Sequence, residues 1–241
     1  MKRDRLIEIT KGKTGTGLLV ENDGYISLDM PQNKTICESL NLNESDGERN
    51  LPSKLVFNAI FQKFDTPNAN GRIYPEHILK REVEKFQQAI KERRAYGELN
   101  HPSESSIDLG RIALNIIELH WEGKTLVGQI EIPITEGFRK LGIVSTCADT
   151  LAHWILSGLK VGVSSRGLGS VEQSGGTLRV GNDFELICWD AVTQPSTPLA
   201  WICTDEKEIE LYKESTLPSN NKPICNENIN KFDKFNKWLT E

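Results

Sequence analysis

The chain has 241 residues and a formal net charge of −5, from 29 lysines and arginines against 34 aspartates and glutamates. This acidic balance, with no basic stripe, argues against nucleic-acid binding through phosphate contacts. No apolar run reaches the roughly 18 residues that a membrane-spanning helix needs, so no membrane span is predicted. The length is sufficient to bury a hydrophobic core without covalent crosslinks.

The cysteines give no sign of a disulfide framework or a zinc site. They are odd in number, widely spaced and contain no CxxC pair, which favours reduced thiols. They are Cys37, Cys147, Cys188, Cys203 and Cys225.

Three regions follow one another along the chain. Residues 1–52 are polar and interrupted by glycines, and predict a weak strand or two and then a linker. Residues 53–203 predict the folded domain, and residues 204–241 form a charged, Asn-rich tail.

The folded domain begins with a β-rich run at 55–61, and the turn-forming stretch PNANGRIYP follows at 67–75. Pro75 then opens a predicted helix that ends near Arg94. Its apolar residues recur every three or four positions and predict one buried face. They are Leu79, Val83, Phe86 and Ile90.

The second half of the domain reads as mixed structure. Residues 111–121 and 125–132 predict a hairpin, and a second helix is predicted over 145–159 with Ala148, Leu151, Ile155 and Leu159 buried. Strands are predicted at 159–171, 177–180 and 183–192. We therefore expect an α+β fold, with an antiparallel β-barrel-like core and helices packed outside.

Two motifs draw attention to chemistry. GELNHP, residues 97–102, carries His101 between a helix and a strand, where loops often present catalytic side chains. His77, His120 and His153 read instead as surface or structural residues. In GVSSRG, residues 162–167, the flanking glycines permit tight backbone around Ser164 and Ser165, either for a nucleophile or for an ordinary turn. The spacing is not that of a GxSxG elbow.

An acidic residue completes the set of candidates. Asp190 continues the inward alternation of Phe184, Leu186 and Cys188, and an inward carboxylate requires a partner such as a histidine N–H. Alternatively the strand ends at Trp189 and Asp190 is a turn residue. Asp108, seven residues after His101, is the rival acid.

The motifs NGRIYP, GELNHP, GVSSRGLGS and DAVTQPSTPLAW, in this order, resemble those of the prohead core protein proteases of T-even-type tailed phages. The resemblance covers roughly residues 55–203. These proteases mature the procapsid and are distantly similar in fold to herpesvirus assemblin, so the resemblance implies an assemblin-like fold.

The resemblance implies a serine endopeptidase with His101 as base, Ser164 as nucleophile and Asp190 as the acid that orients the histidine. No metal or cofactor is needed for such acyl transfer. The oxyanion donors do not map cleanly, and the backbone N–H groups of Arg166 and Gly167 are the candidates.

The resemblance also implies substrates and a place of action. The family cuts scaffold and core proteins, the major capsid protein and internal head proteins, inside the assembling prohead in the host cytoplasm. A homo-oligomer is expected. Cleavage follows glutamate in Leu/Ile-x-Glu contexts.

Self-cleavage is a hypothesis that follows from this specificity. Several tripeptides of this chain match, although the match at 90–92 falls within a predicted helix. A pocket for glutamate requires a basic residue, for which Arg166 and Arg111 are candidates. The matching tripeptides include Ile36-Cys37-Glu38, Leu42-Asn43-Glu44, Ile90-Lys91-Glu92 and Leu239-Thr240-Glu241.

Three alternatives remain open from the sequence. The same core could be a non-enzymatic capsid scaffold or ring-forming protein, in which His101, Ser164 and Asp190 lie far apart. Cys147 or Cys188 could be the nucleophile beside the histidine. Ser165 could replace Ser164, on the opposite face of the strand.

Overall fold

Strands and helices alternate along the residues that the computed structural model describes, which are 8–9, 13–21 and 51–203. The α-helices are α1 (Glu76–Lys91), α2 (Glu136–Leu141) and α3 (Cys147–Leu156). The strands are β1 (Glu8–Ile9), β2 (Gly15–Val20), β3 (Lys54–Lys63), β4 (Arg72–Ile73), β5 (Tyr96–Glu98), β6 (Ile112–Glu122), β7 (Thr125–Pro133), β8 (Gly162–Ser174), β9 (Thr177–Val180), β10 (Glu185–Val192) and β11 (Ile202–Cys203).

The strands form two sheets. The six-stranded sheet has the order β1-β2-β8-β9-β4, with β10 on the other side of β8. The five-stranded sheet has the order β11-β3-β7-β6-β5. The pairs β1–β2 and β4–β9 are parallel and the other ladders are antiparallel, so the fold is α+β, as predicted.

The expected barrel does not close among the described residues. Isolated backbone bridges join the two sheets, Leu99 to Ala191 and Gly162 to Trp201. Single backbone bonds, such as Asn100 N–H to the Ala191 carbonyl at 2.8 Å, strengthen this junction. The candidate residues lie along it, since GELNHP follows β5 of one sheet and β10 belongs to the other.

Helices α1 and α3 pack on the strands through their apolar faces. Leu79, Val83 and Phe86 of α1 are buried, as the period predicted. Helix α3 begins with a capping box, in which Thr146 and Asp149 each accept the other's backbone N–H. The prediction that Leu159 is buried is wrong, because α3 ends at Leu156 and Leu159 is 56% exposed beyond it.

Strand β2 adds residues of the predicted polar N-terminal region to the six-stranded sheet. It pairs with β8 in antiparallel register, with Val20 opposite Arg166 and Leu19 opposite Gly167. The division of the chain at 52 and 203 stays a prediction. The tail at 204–241 and the Leu/Ile-x-Glu matches at 36–38, 42–44 and 239–241 lie outside the described residues.

Candidate active site

The pairing of β8 with β10 determines which serine shares a sheet face with Asp190. Ser164 is the direct partner of Asp190, and Ser165 is the partner of Trp189. Partners directly opposite each other project to the same face of a sheet, while successive residues alternate. Ser164 therefore faces the same side as Asp190, and Ser165 faces the other side.

His101 reaches Asp190 from the turn that follows β5. Asn100 adopts a left-handed backbone with φ of 62°, which asparagine tolerates better than most residues, and its N–H binds the Ala191 carbonyl. The next side chain is thereby directed at β10. His101 Nδ1 lies 2.7 Å from Asp190 Oδ2, and the histidine side chain is only 1% exposed.

Asp190 is fully buried but well supplied with donors. Its Oδ1 accepts the Glu98 N–H at 2.9 Å, and its Oδ2 accepts Arg166 Nε at 2.9 Å. Burial alone would raise the pKa of Asp190, but the hydrogen bonds and charges of His101 and Arg166 outweigh it and lower that pKa below its ordinary value. The carboxylate is therefore ionised at neutral pH.

Glu98 is a second buried carboxylate of the site that the sequence patterns did not single out. Its Oε1 accepts Arg166 Nη2 at 3.1 Å and the Asp108 N–H at 2.8 Å, and its Oε2 accepts Arg111 Nε at 3.2 Å. Arg166 thus bridges Glu98 and Asp190. The sequence feature that could have identified Glu98 is its position within GELNHP, in the strand that leads to His101.

Asp108, the rival acid, has another position. Its Oδ1 accepts the Gly110 N–H at 2.9 Å and caps the short 3-10 helix Leu109–Arg111. The hydrogen bond of His101 goes to Asp190 instead.

The Ser164 hydroxyl is buried and donates to the backbone carbonyl of Glu21 at 2.6 Å. On the histidine, Nε2 is buried and has no hydrogen-bond partner among the described residues. This nitrogen is the one opposite the Asp190-bound Nδ1.

The other candidate residues are placed as follows. Arg166 and Gly167 lie where β8 is paired on both sides, with β2 and with β10, so their N–H groups face neighbouring strands. Cys188 is buried, and its burial and the Asp190 charge hold the pKa of its thiol well above the ordinary value. Cys147 lies at the start of α3, with its sulfur 3.8 Å from the Gly110 carbonyl.

Neither a metal cluster nor a membrane span is found in the described part of the chain. No group of three or more His, Cys, Asp or Glu side chains there could hold a metal ion. None of its helices has the length and apolar character to cross a membrane.

Comparisons with known proteins agree on one kind of relative. A profile described as "Prohead core protein serine protease" matches residues 18–211. The prohead core protein protease of Enterobacteria phage T4 is 34% identical over 176 residues, which is 71% of this chain and 79% of that protein. The solved structure of the bacteriophage T4 capsid assembly protease has a TM-score of 0.55 and 29% identity, and the match covers 73% of this chain and 98% of that one.

Proposed function

Because the chain belongs to the prohead core protein serine protease family, we propose that it hydrolyses peptide bonds with a triad of His101, Ser164 and Asp190. The chain is a peptidase of phage prohead maturation. The single observation that supports the triad best is the buried bond between His101 Nδ1 and Asp190 Oδ2, beside the strand position of Ser164.

The geometry favours the roles that the motifs imply. A carboxylate that accepts Nδ1–H fixes the neutral tautomer with its lone pair on Nε2, the atom a serine proton needs. That atom is buried without a partner among the described residues, while Ser164 lies on the same sheet face as Asp190. Ser165 faces the opposite side, so it does not suit the nucleophile's role.

In the proposed reaction, His101 Nε2 removes the proton of Ser164 Oγ as this oxygen attacks the substrate carbonyl carbon. Asp190, held ionised by Arg166, stabilises the imidazolium. The imidazolium then protonates the departing amine, and water hydrolyses the acyl-enzyme. The backbone N–H groups of Arg166 and Gly167 stay a prediction as oxyanion donors.

Substrates and specificity follow from the family. We propose that the chain cleaves scaffold, core, major capsid and internal head proteins inside the assembling prohead of the host, after glutamate in Leu/Ile-x-Glu contexts. The relatives are described as proteases of the prohead core and of capsid assembly. Action as a homo-oligomer is part of this proposal.

A peptide of residues 39–47, SLNLNESDG, tests the proposal because it contains one Leu-x-Glu match. The wild-type chain should release SLNLNE, detected by mass spectrometry. Ser164→Ala and His101→Ala should lose at least about 1000-fold in rate, since each removes a member of the triad. Ser165→Ala is the matched control and should stay within about 10-fold of wild type. Cleavage that survives both triad substitutions would exclude this mechanism.

A further inference from the structure

Glu21, the residue whose carbonyl meets the Ser164 hydroxyl, has its carboxylate enclosed in a polar pocket. The side chain is 2% exposed, and the five residues around it come from two distant segments, 68–74 and 196. Its Oε1 accepts Arg72 Nη1 and Tyr74 OH, and its Oε2 accepts Asn68 Nδ2, Asn70 Nδ2 and Ser196 Oγ, all at 2.5–3.0 Å. We call Asn68, Asn70, Arg72, Tyr74 and Ser196 the glutamate pocket.

The pocket is complementary to a carboxylate in both charge and hydrogen bonding. A carboxylate has about four acceptor sites and no hydrogen to donate, and here it receives five donors, one of which belongs to the buried guanidinium of Arg72. Burial and the neighbouring Glu21 charge raise the pKa of Tyr74 well above its ordinary value, so Tyr74 stays protonated and donates. A glutamine in the same place would direct its NH₂ group, which is itself a donor, at the pocket's donors and would leave them without an acceptor.

A pocket for glutamate requires a basic residue, and Arg72 fills this role where the predicted candidates do not. Arg166 is paired with Asp190 and Glu98, and Arg111 with Glu98, so their charges are matched within the site. The guanidinium of Arg72 is instead paired with Glu21 at 2.8 Å and is fully buried.

The residues before Glu21 lie as a peptide substrate would beside the nucleophile strand. Strand β2 runs antiparallel to β8, in the manner of a peptide added to a sheet edge. Leu19 is fully buried against the apolar cluster that includes Tyr74 and Phe184. Leu19-Val20-Glu21 thus fits the Leu-x-Glu pattern, with separate sites for its leucine and its glutamate.

The backbone of Glu21 lies within reach of the chemistry. Its carbonyl oxygen is 2.6 Å from Ser164 Oγ, and with a C=O bond of about 1.23 Å the carbonyl carbon is at most about 3.8 Å from that oxygen. Reacting atoms in a near-attack arrangement are roughly 3–3.5 Å apart. A glutamate whose role was only to anchor a strand would not need its carbonyl at the candidate nucleophile.

We propose that the glutamate pocket recognises the residue before the scissile bond, and that Leu19-Val20-Glu21 is the chain's own substrate, cleaved on the carboxyl side of Glu21. This inference rests on the proposed function. Ser164 Oγ forms an ester with the Glu21 carbonyl carbon, the C–N bond that follows breaks, and the amine takes the proton that His101 had accepted. Water then hydrolyses the ester and leaves Glu21 with a free carboxylate.

The cut divides the chain into residues 1–21 and 22–241, which mass spectrometry of the intact protein distinguishes. We expect wild type to yield both fragments, and Ser164→Ala and Glu21→Gln to yield neither. Glu82→Gln is the matched control, since Glu82 is also a buried glutamate in ion pairs, with Arg81 and Lys85. The control should still be cut after Glu21.

The peptide SLNLNESDG separates failure of this inference from failure of the proposed function. Wild type that cleaves this peptide but leaves its own bond after Glu21 intact would overturn the self-cleavage and keep the peptidase. Wild type that cleaves neither would overturn both.

The pocket itself is tested with peptides of residues 15–24, GTGLLVENDG, and of the same sequence with Gln in place of Glu. The glutamine peptide should be cleaved at least about 100-fold more slowly, because it leaves buried donors unpaired. Ser196→Ala and Asn70→Ala should raise KM for the glutamate peptide about 10-fold with little change in kcat. A lower melting temperature with unchanged KM would assign these residues a structural role and overturn the pocket.

Discussion

Asp190 and Ser164 lie directly opposite each other on the neighbouring strands β10 and β8. This relationship connects two residues that are 26 positions apart in the sequence, and it puts Ser164, but not Ser165, on the sheet face of Asp190. His101 joins the pair from the other sheet, through the bridge that brings Leu99 to Ala191. The candidate site is therefore a product of the junction between the sheets.

The carboxylate of Asp190 is predicted to matter for catalysis, and that of Asp108 is not. Asp190→Asn keeps the shape but offers an amide to His101 Nδ1, which favours the tautomer that cannot accept the serine proton. We expect kcat on the peptide SLNLNESDG to fall about 1000- to 10,000-fold. Asp108→Asn is the matched control, because Asp108 only caps a short 3-10 helix. Equal losses in the two variants would contradict the assignment of Asp190.

Arg166 is predicted to act through Asp190 as a positioning residue. Its guanidinium bridges the carboxylates of Asp190 and Glu98, and lysine has no planar fork with which to do the same. Arg166→Lys should lower kcat/KM roughly 10- to 100-fold while most of the effect falls on kcat. The exposed Arg179→Lys should leave both constants unchanged. An unchanged kcat in Arg166→Lys would show that the bridge does not orient the histidine.

Local patterns predicted the elements that carry a clear period. The face of Leu79, Val83 and Phe86 and the alternation of β7 each extend over several repeats, and both elements are present. Strands β4, β5 and β11 have two or three residues, too few for any period, and only pairing with distant strands defines them.

The same contrast between local patterns and distant contacts holds for the residues of the candidate site. His101, Ser164 and Asp190 stand in recognisable motifs, so the resemblance could place them. The tripeptide Leu19-Val20-Glu21 fits the Leu-x-Glu pattern, but the environment of Glu21 could not be predicted, because its partners at 68–74 and 196 are distant in sequence.

Asp149 is predicted to make the stability of the fold depend on pH. It accepts hydrogen bonds from Thr135, Ser145 and the backbone N–H of Thr146 at 2.8–3.2 Å. Burial raises its pKa, but these bonds outweigh burial and lower the pKa below its ordinary value. A depressed folded pKa stabilises the protein above the unfolded value of about 3.9, and the stabilisation is lost as the pH falls through the folded pKa.

The free energy of unfolding from urea titrations measures this contribution. Asp149→Asn should lower it by about 1–3 kcal/mol at pH 7, through the lost cap and the buried bonds. The difference from wild type should shrink as the pH is lowered from about 5 to about 2.5. The exposed Glu84→Gln serves as the control. A difference that stays constant over this range would assign the loss to packing rather than to charge.

Gly97, the first residue of the GELNHP motif, is predicted to tolerate no side chain. A Cβ there would lie 2.2 Å from the Trp189 carbonyl oxygen and 2.7 Å from Leu114 Cδ1, so β5 could not approach β10. Gly97→Ala should destabilise the fold by about 3 kcal/mol, near the upper end for overpacking because the opposing atom is backbone. It should also lower peptidase activity, since the turn that carries His101 depends on the same close approach of β5 to β10.

The control is Gly137→Ala in α2, where an added Cβ meets nothing closer than 3.8 Å and should stabilise the fold by up to about 1 kcal/mol through helix propensity. Thermal unfolding of the two variants measures the contrast, and a Gly97→Ala protein as stable as wild type would show that β5 and β10 need not be in close contact.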